Sequence, residues 1–196
     1  MFTLFEPSKT KIKNFLAAQK DLPFSYEEIG SSKENIPSGY PINHCRAQLG
    51  NGADAYARAR KAIENWTMYR LDWTRIYPPD TPIAQSATVC VIVNHGFCWS
   101  LNPCRIVYVL EETSGEVEQY GFAFGTLPGH SEEGEERFTI ERRRADDSVW
   151  FELLSFARPH HILARIGFPF VPLFQRKFAE DSARAMLKFV APDEFK

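Results

Sequence analysis

The chain has 196 residues, 44% hydrophobic and 24% charged, with a formal net charge of −2. That composition suits an ordinary folded domain that buries about 70% of its unfolded surface without disulfides or a structural metal, and the near-balance of charge gives no sign of a nucleic-acid-binding face. No run of apolar residues is long enough for a spanning helix, and Glu6, Pro7 and Ser8 interrupt the start too early for a signal peptide, so a cytoplasmic protein is expected.

Ser8 is placed to cap a helix over 9–19, with Ile12, Phe15, Leu16 and Gln19 on one face and Lys9, Lys11, Lys13 and Lys20 around the others. Phe24 and Tyr26 alternate with Ser25 and Glu27, which predicts a strand over 24–29. Residues 30–39 read as loop, and the stretch after them as a lead into a helix over 52–66. Asn51 stands at the N-cap of that helix, and Tyr56, Ala59, Ile63 and Trp66 form its apolar stripe. Gly50-Asn51-Gly52 lacks the spacing of a phosphate-binding loop and reads as a capping turn.

From Thr67 the period becomes two, with Tyr69, Leu71 and Trp73 on one face. Tyr77-Pro78-Pro79 is a turn. Strands follow over 88–93, 104–110, 118–127, 135–142 and 149–156, with hairpin links at 112–115 and 145–148. A short helix is expected over 160–166, broken at Gly167-Phe168-Pro169. A longer helix over 170–190 carries the stripe Val171, Phe174, Phe178, Ser182, Ala185 and Phe189.

Strand, helix, six strands and a long helix specify an α+β protein. Strands joined by short links form an antiparallel meander whose apolar face needs a cover, and only the last helix reads as long and apolar enough to supply it. This is the helix-grip arrangement: a curved antiparallel sheet of about seven strands wrapped on the C-terminal helix. The element order is similar to that of START-like and birch-pollen-allergen-like proteins. A flat α+β sandwich with a solid core is the alternative layout. Residues 1–196 are expected to form one domain, with 1–22 as a helical extension and 23–190 as the core.

Several pieces of the chain also resemble the domain of unknown function 1990 family of bacteria and plants. They are Ser38-Gly39-Tyr40, Leu49-Gly50-Asn51-Gly52, Arg58-Ala59, Trp66, CRIVYV from Cys104, FGTLPGHSEEGEERF from Phe124, and Ser155-Phe156-Ala157-Arg158-Pro159. The resemblance spans about 24–190 and implies no particular activity.

The stretch from Tyr120 to Phe138 holds the densest chemistry, with His130, Glu132, Glu133, Glu135, Glu136 and Arg137 close together. A histidine among carboxylates is raw material for acid–base catalysis, which makes His130, Glu135, Glu136 and Arg137 the candidate catalytic groups. The same residues have a structural reading: Gly125, Gly129 and Gly134 permit positive φ in a tight connection, and the charges tie that connection to its neighbours. Glu136 shares strand parity with Phe138 and Ile140 and is expected to point inward with a partner such as Arg158, whereas Arg137 has the opposite parity.

His95, Cys98 and Cys104, with His44-Cys45 as a distant source, match no common zinc spacing. No metal or other cofactor is implied, and the four cysteines read as free thiols. Adjacent His160 and His161 diverge on a helix and make a poor chelating pair. The expected lining of an internal pocket is Tyr69, Trp73, Tyr120, Phe122, Phe124, Phe174 and Phe178, with Arg158 beside it. Three functional readings follow: a binder of a small apolar or amphipathic molecule; an enzyme of the same fold, hydrolase or cyclase, using His130 and the glutamates; or a protein-interaction module docking through the charged hairpin.

Overall fold

The β-branched and aromatic runs after position 70 pair into one antiparallel sheet in the computed structural model, which describes residues 1–113, 115–160 and 171–191. In chain order the elements are β1 (Phe2–Thr3), α1 (Lys9–Gln19), β2 (Ile42–Asn51), α2 (Gly52–Glu64), a 3-10 turn at Thr67–Tyr69, β3 (Thr74–Tyr77), β4 (Thr88–Asn94), β5 (Trp99–Glu112), β6 (Val117–Thr126), β7 (Glu132–Arg143), β8 (Ser148–Pro159) and α3 (Val171–Val190). The spatial order is β2-β8-β7-β6-β5-β4-β3, with β1 added to β5. Antiparallel links carry the chain stepwise from β3 to β8, and the early strand β2 then closes on β8, pairing Ile42 with Phe156 and Ala47 with Phe151. The sheet curls around α3, which gives the expected helix-grip and not the flat sandwich.

Two helices, not one, cover the concave face. Tyr56, Ala59 and Ile63 of α2 and Ala179, Ala183 and Met186 of α3 share a single buried cluster with Phe122, Phe138, Ile140, Phe151 and Leu153 of the sheet. The buried centre of α3 is Ala179, Ser182, Ala183, Met186 and Val190, while Phe174 is 38% exposed. The inward face is therefore rotated from the expected stripe toward residues that pack on α2. Helix α1 lies on the convex side, where Ile12 and Leu16 meet Cys90, Ile92 and Leu101. Ser8 caps it, its hydroxyl accepting from the Lys11 amide at 3.3 Å.

Three sequence expectations change. Residues 24–29 are not a strand but part of an irregular strap across the convex face, tied to β6 by Ser25 N–H donating to the Thr126 carbonyl at 3.0 Å. Phe24 and Tyr26 alternate because Tyr26 packs edge-on against Phe156, with ring centres 6.0 Å apart. Tyr69 and Trp73 are not on a strand, because Trp66 takes a left-handed φ of 55° and turns the chain through the 3-10 segment before β3 begins. Conversely, β2 was hidden: its inward residues Asn43, Cys45, Ala47 and Leu49 are mostly small or polar, so the alternation that marks a strand is faint. The helix expected over 160–166 lies outside the described residues apart from His160.

Candidate functional site

Paired residues on β7 and β8 change in size along the concave face. At one end Ile140 faces Phe151 and Phe138 faces Leu153; at the other Glu136 faces Ser155 and Gly134 faces Ala157. The bulky end is closed by α2 and Trp66, whose ring stands 5.0 Å from Phe122. The small end is not filled, and a chamber of about 160 Å³ remains between the sheet and the first turns of α3. Its lining includes the aromatic side chains Tyr69, Trp73, Phe124, Phe174 and Phe178 and the polar residues Asn43, His95, Ser100, Asn102, Thr126, His130, Ser131, Glu132, Glu136, Ser155 and Gln175. The two kinds interleave: Phe124 is the cross-strand neighbour of Glu136, and the Phe174 and His95 ring centres are 5.5 Å apart.

The charged motif divides between the two faces of β7, since successive side chains alternate. Glu132 and Glu136 turn into the chamber. Glu133, Glu135 and Arg137 turn out and hold neighbouring segments. Glu135 is 2% exposed beneath the strap. It accepts from Tyr26 Oη at 2.7 Å, Gly30 N–H at 2.8 Å and Ser32 N–H at 3.1 Å, and from the Ser32 hydroxyl. Arg137 donates to the Ser32 carbonyl at 2.7 Å and pairs with Glu152 at 2.6 Å. Glu133 pairs with Arg158 at 2.5 Å and with His160 at 2.8 Å.

Of the motif glycines, only Gly134 has positive φ, at 145°, and a Cβ there would lie 2.0 Å from the Phe156 carbonyl oxygen. Gly125 is required by close approach instead, since a Cβ would stand 2.2 Å from Tyr26 Oη.

Inside the chamber, the Gln175 side-chain amide donates to Glu132 Oε1 at 2.8 Å, and Tyr69 Oη donates to Glu136 Oε2 at 2.6 Å. Both carboxyls keep some surface open to the chamber, but little bulk water reaches them. Burial raises Glu132 to about 7 against the opposing bond from Gln175. Burial also raises Glu136 to about 7, with the Tyr69 bond opposing and the Glu132 charge adding. His130 is held neutral, as burial pushes it down to about 3. Its Nδ1 accepts from the Glu132 amide at 2.9 Å, which leaves the ring proton on Nε2. His95 is lowered by burial and shares a 2.9 Å bond with Ser100 Oγ. Asn102 continues that chain, donating to Ser100 Oγ at 2.8 Å and accepting from Ser131 Oγ at 2.8 Å. The polar lining thus combines a hydrogen-bonded chain through His95, Ser100, Asn102 and Ser131 with two separately bonded carboxyls that burial raises toward neutrality.

The chamber gathers Tyr69, Trp73, Phe124, Phe174, Phe178, His130 and Glu136. Other candidates stand elsewhere. Tyr120 and Phe122 share the concave face but lie at its filled end, where the Arg60 guanidinium covers Tyr120 at 4.2 Å and Trp66 covers Phe122. Arg158 is on the convex side, stacked 4.6 Å over Tyr40 and paired with Glu133, so the inward partner of Glu136 is Tyr69. Arg137 and the Glu135 carboxylate serve the strap.

Strand parity does put Glu132 with Glu136, but Gly134 reads as a turn residue and hides it. Ser100 and Asn102 carried a usable signal: polar residues at alternate positions in an otherwise apolar strand. Gln175 and Asn43 carried none. Among the described residues, no group of three or more His, Cys, Asp or Glu side chains is gathered to hold a metal ion, and none of the described helices is long and apolar enough to cross a membrane.

The sequence profile of a domain of unknown function (DUF1990) matches residues 25–185. A UPF0548 protein of Arabidopsis thaliana is 35% identical over 168 residues, covering 85% of this chain and 81% of its own length. A UPF0548 protein of Dictyostelium discoideum is 31% identical over 212 residues, covering 99% and 98%. Among solved structures, the hypothetical protein jhp0584 from Helicobacter pylori superposes with a TM-score of 0.54 at 9% identity, covering 86% of this chain and 96% of that one. At that identity the likeness is one of fold alone.

Proposed function

The chain belongs to the DUF1990 family, and we propose that it binds a small amphipathic molecule in the chamber between the sheet and α3. The observation that carries this reading is the mixed lining: the rings of Trp73, Phe124, Phe174 and Phe178 border the same space as the polar groups of Glu132, Glu136, Ser100 and Asn102. Apolar pockets with a few convergent polar groups are the usual form of small-molecule sites. The volume of about 160 Å³ is close to that of a protein cavity known to accept benzene and falls short of a drug-sized pocket. The ligand is therefore a single ring or a short chain bearing one polar end.

Native mass spectrometry of freshly purified protein tests this. One small-molecule adduct per chain is expected, and it should be lost in Ala157→Leu, which extends a lining residue into the space. An adduct retained in full by Ala157→Leu would place the ligand elsewhere, and no adduct under gentle ionisation, with no response to added single-ring probes, would overturn the reading.

A second reading, acid–base chemistry on the bound molecule, is favoured by the two chamber carboxyls raised to about 7, the range in which a carboxyl both gives and takes protons at neutral pH. Glu132 and Glu136 carry it better than His130, whose ring stays neutral throughout. Its test is conversion of the identified ligand: turnover lost in Glu136→Gln with binding retained supports it, and a ligand recovered unchanged after prolonged incubation removes it.

A further inference from the structure

We propose that the molecule held in the chamber is a cation, an amine or other ammonium group carried on a compact apolar body; this rests on the reading of the chamber as a binding site and names the chemistry of its ligand. The chamber is lined by Glu132, Glu135 and Glu136 and, among the described residues, by no lysine or arginine. The Glu135 carboxylate is directed to the strap, which leaves the carboxyls of Glu132 and Glu136 facing the space. Each carboxyl has spent one oxygen on a neutral donor, Gln175 for Glu132 and Tyr69 for Glu136. The second oxygen of each, Glu132 Oε2 and Glu136 Oε1, has no hydrogen-bond partner among the described residues. Other acids withdrawn partly or wholly from solvent here differ. Glu152 pairs with Arg137, Asp181 with Lys177 and Arg184, and Glu133 with Arg158. Glu135 is saturated by the strap. Only the chamber pair, among these, lacks both a counter-charge and a donor on its second oxygen.

The remaining groups that face the pair supply none. His130 from the β6–β7 turn and His95 from the β4–β5 connection are both driven toward the neutral form. Cys104 on β5 and Tyr69 from the 3-10 turn are both raised well above their ordinary range and stay protonated. An anionic ligand would meet two carboxyls with nothing to neutralise it. A cation would meet two free acceptor oxygens, and the rings of Phe124 and Phe178 bordering the chamber add the attraction of their quadrupoles, whereas Trp73 already has the Lys177 ammonium 5.2 Å from its ring centre. Binding an ammonium stabilises the ionised carboxylates, so uptake by the protonated pair releases protons to solvent.

Benzylamine, benzyl alcohol and benzoate share one ring and differ in charge, and the indole resonance of Trp73 serves as reporter, because its ring lines the chamber while its N–H is fixed on Asp181 at 2.9 Å. Titrated into the protein at pH 7.5, benzylamine is expected to bind about tenfold more tightly than benzyl alcohol, and benzoate more weakly than either. Calorimetry in two buffers of different ionisation enthalpy should register proton release with benzylamine only. The preference should collapse in Glu132→Gln/Glu136→Gln, and the comparison of the three probes in the unaltered protein decides the matter even if that variant folds poorly. Benzyl alcohol binding as well as benzylamine would leave the chamber a binding site and overturn the cation. Failure of all three to move the Trp73 resonance at about millimolar concentration would sink both readings.

Discussion

Glu136 illustrates how one side chain can be costly to the fold and useful to the site. Its carboxyl is raised to about 7 in the folded chain, whereas an unfolded chain leaves it near 4.3. Below about pH 4 both states hold the proton and there is no penalty. As pH climbs to 7 the unfolded chain ionises first, so the folded state loses stability across that window and the loss is complete above it. Glu136→Gln keeps an acceptor for Tyr69 and removes the titration. The variant should therefore be more stable than the parent by up to about 3–4 kcal/mol at pH 8, with the difference vanishing near pH 4, as read by urea denaturation at several pH values. Curves that stay parallel across the range would mean that the carboxyl is well solvated. His130 acts in the opposite sense. Its folded value near 3 lies under the free value of 6.5, so its contribution is lost as pH falls from about 6.5 toward 3, and in the variant that term should stand out more clearly.

At the scale of elements, the motif on β7 joins three layers. Its inward residues furnish the chamber, and its outward residues fasten the strap that carries Tyr26, Gly30 and Ser32. Glu135→Ala removes the acceptor of two strap amides and two hydroxyls. Loss of about 2 kcal/mol is expected, with hydrogen exchange at the Gly30 and Ser32 amides becoming fast while the β7–β8 ladder stays protected. Unchanged protection of those two amides would show that packing of Tyr26, not the carboxylate, holds the strap.

This double use explains what the sequence made legible. The apolar and β-branched runs of β4 to β8, though not the first half of β5, the 3.6-period stripes of α1 and α2, and the inward parity of Glu136 could all be read, because each is a local pattern. The strap mimicked a strand because two aromatics two residues apart pack on a surface without needing a ladder. Strand β2 escaped because small inward residues leave little hydrophobic contrast. Glu132 was separated from Glu136 because Gly134, which sits mid-strand at positive φ, looks from sequence like a turn.

Across the whole molecule, the grip is solid at one end and hollow at the other, and this was not legible because no local pattern states where α2 lands on the sheet. Its landing covers Tyr120 and Phe122, which share the concave face with Phe124 but lie under α2 and Trp66, away from the chamber. The division makes a prediction about where stability resides. Phe138 is fully buried, with rings of Phe122, Tyr69 and Phe124 at 5.5, 5.6 and 5.9 Å. Phe178 is only partly buried and borders the empty space. Phe138→Ala should cost about 3–5 kcal/mol, because packed neighbours relax only in part around the void. Phe178→Ala removes atoms that already lack partners on one side and should cost about half as much. It should also widen the chamber, so that larger apolar probes are admitted. Equal losses in chemical denaturation of the two variants would mean that the chamber end is packed as tightly as the core, and the space beneath α3 would then be too constrained to take up a ligand without opening the helix.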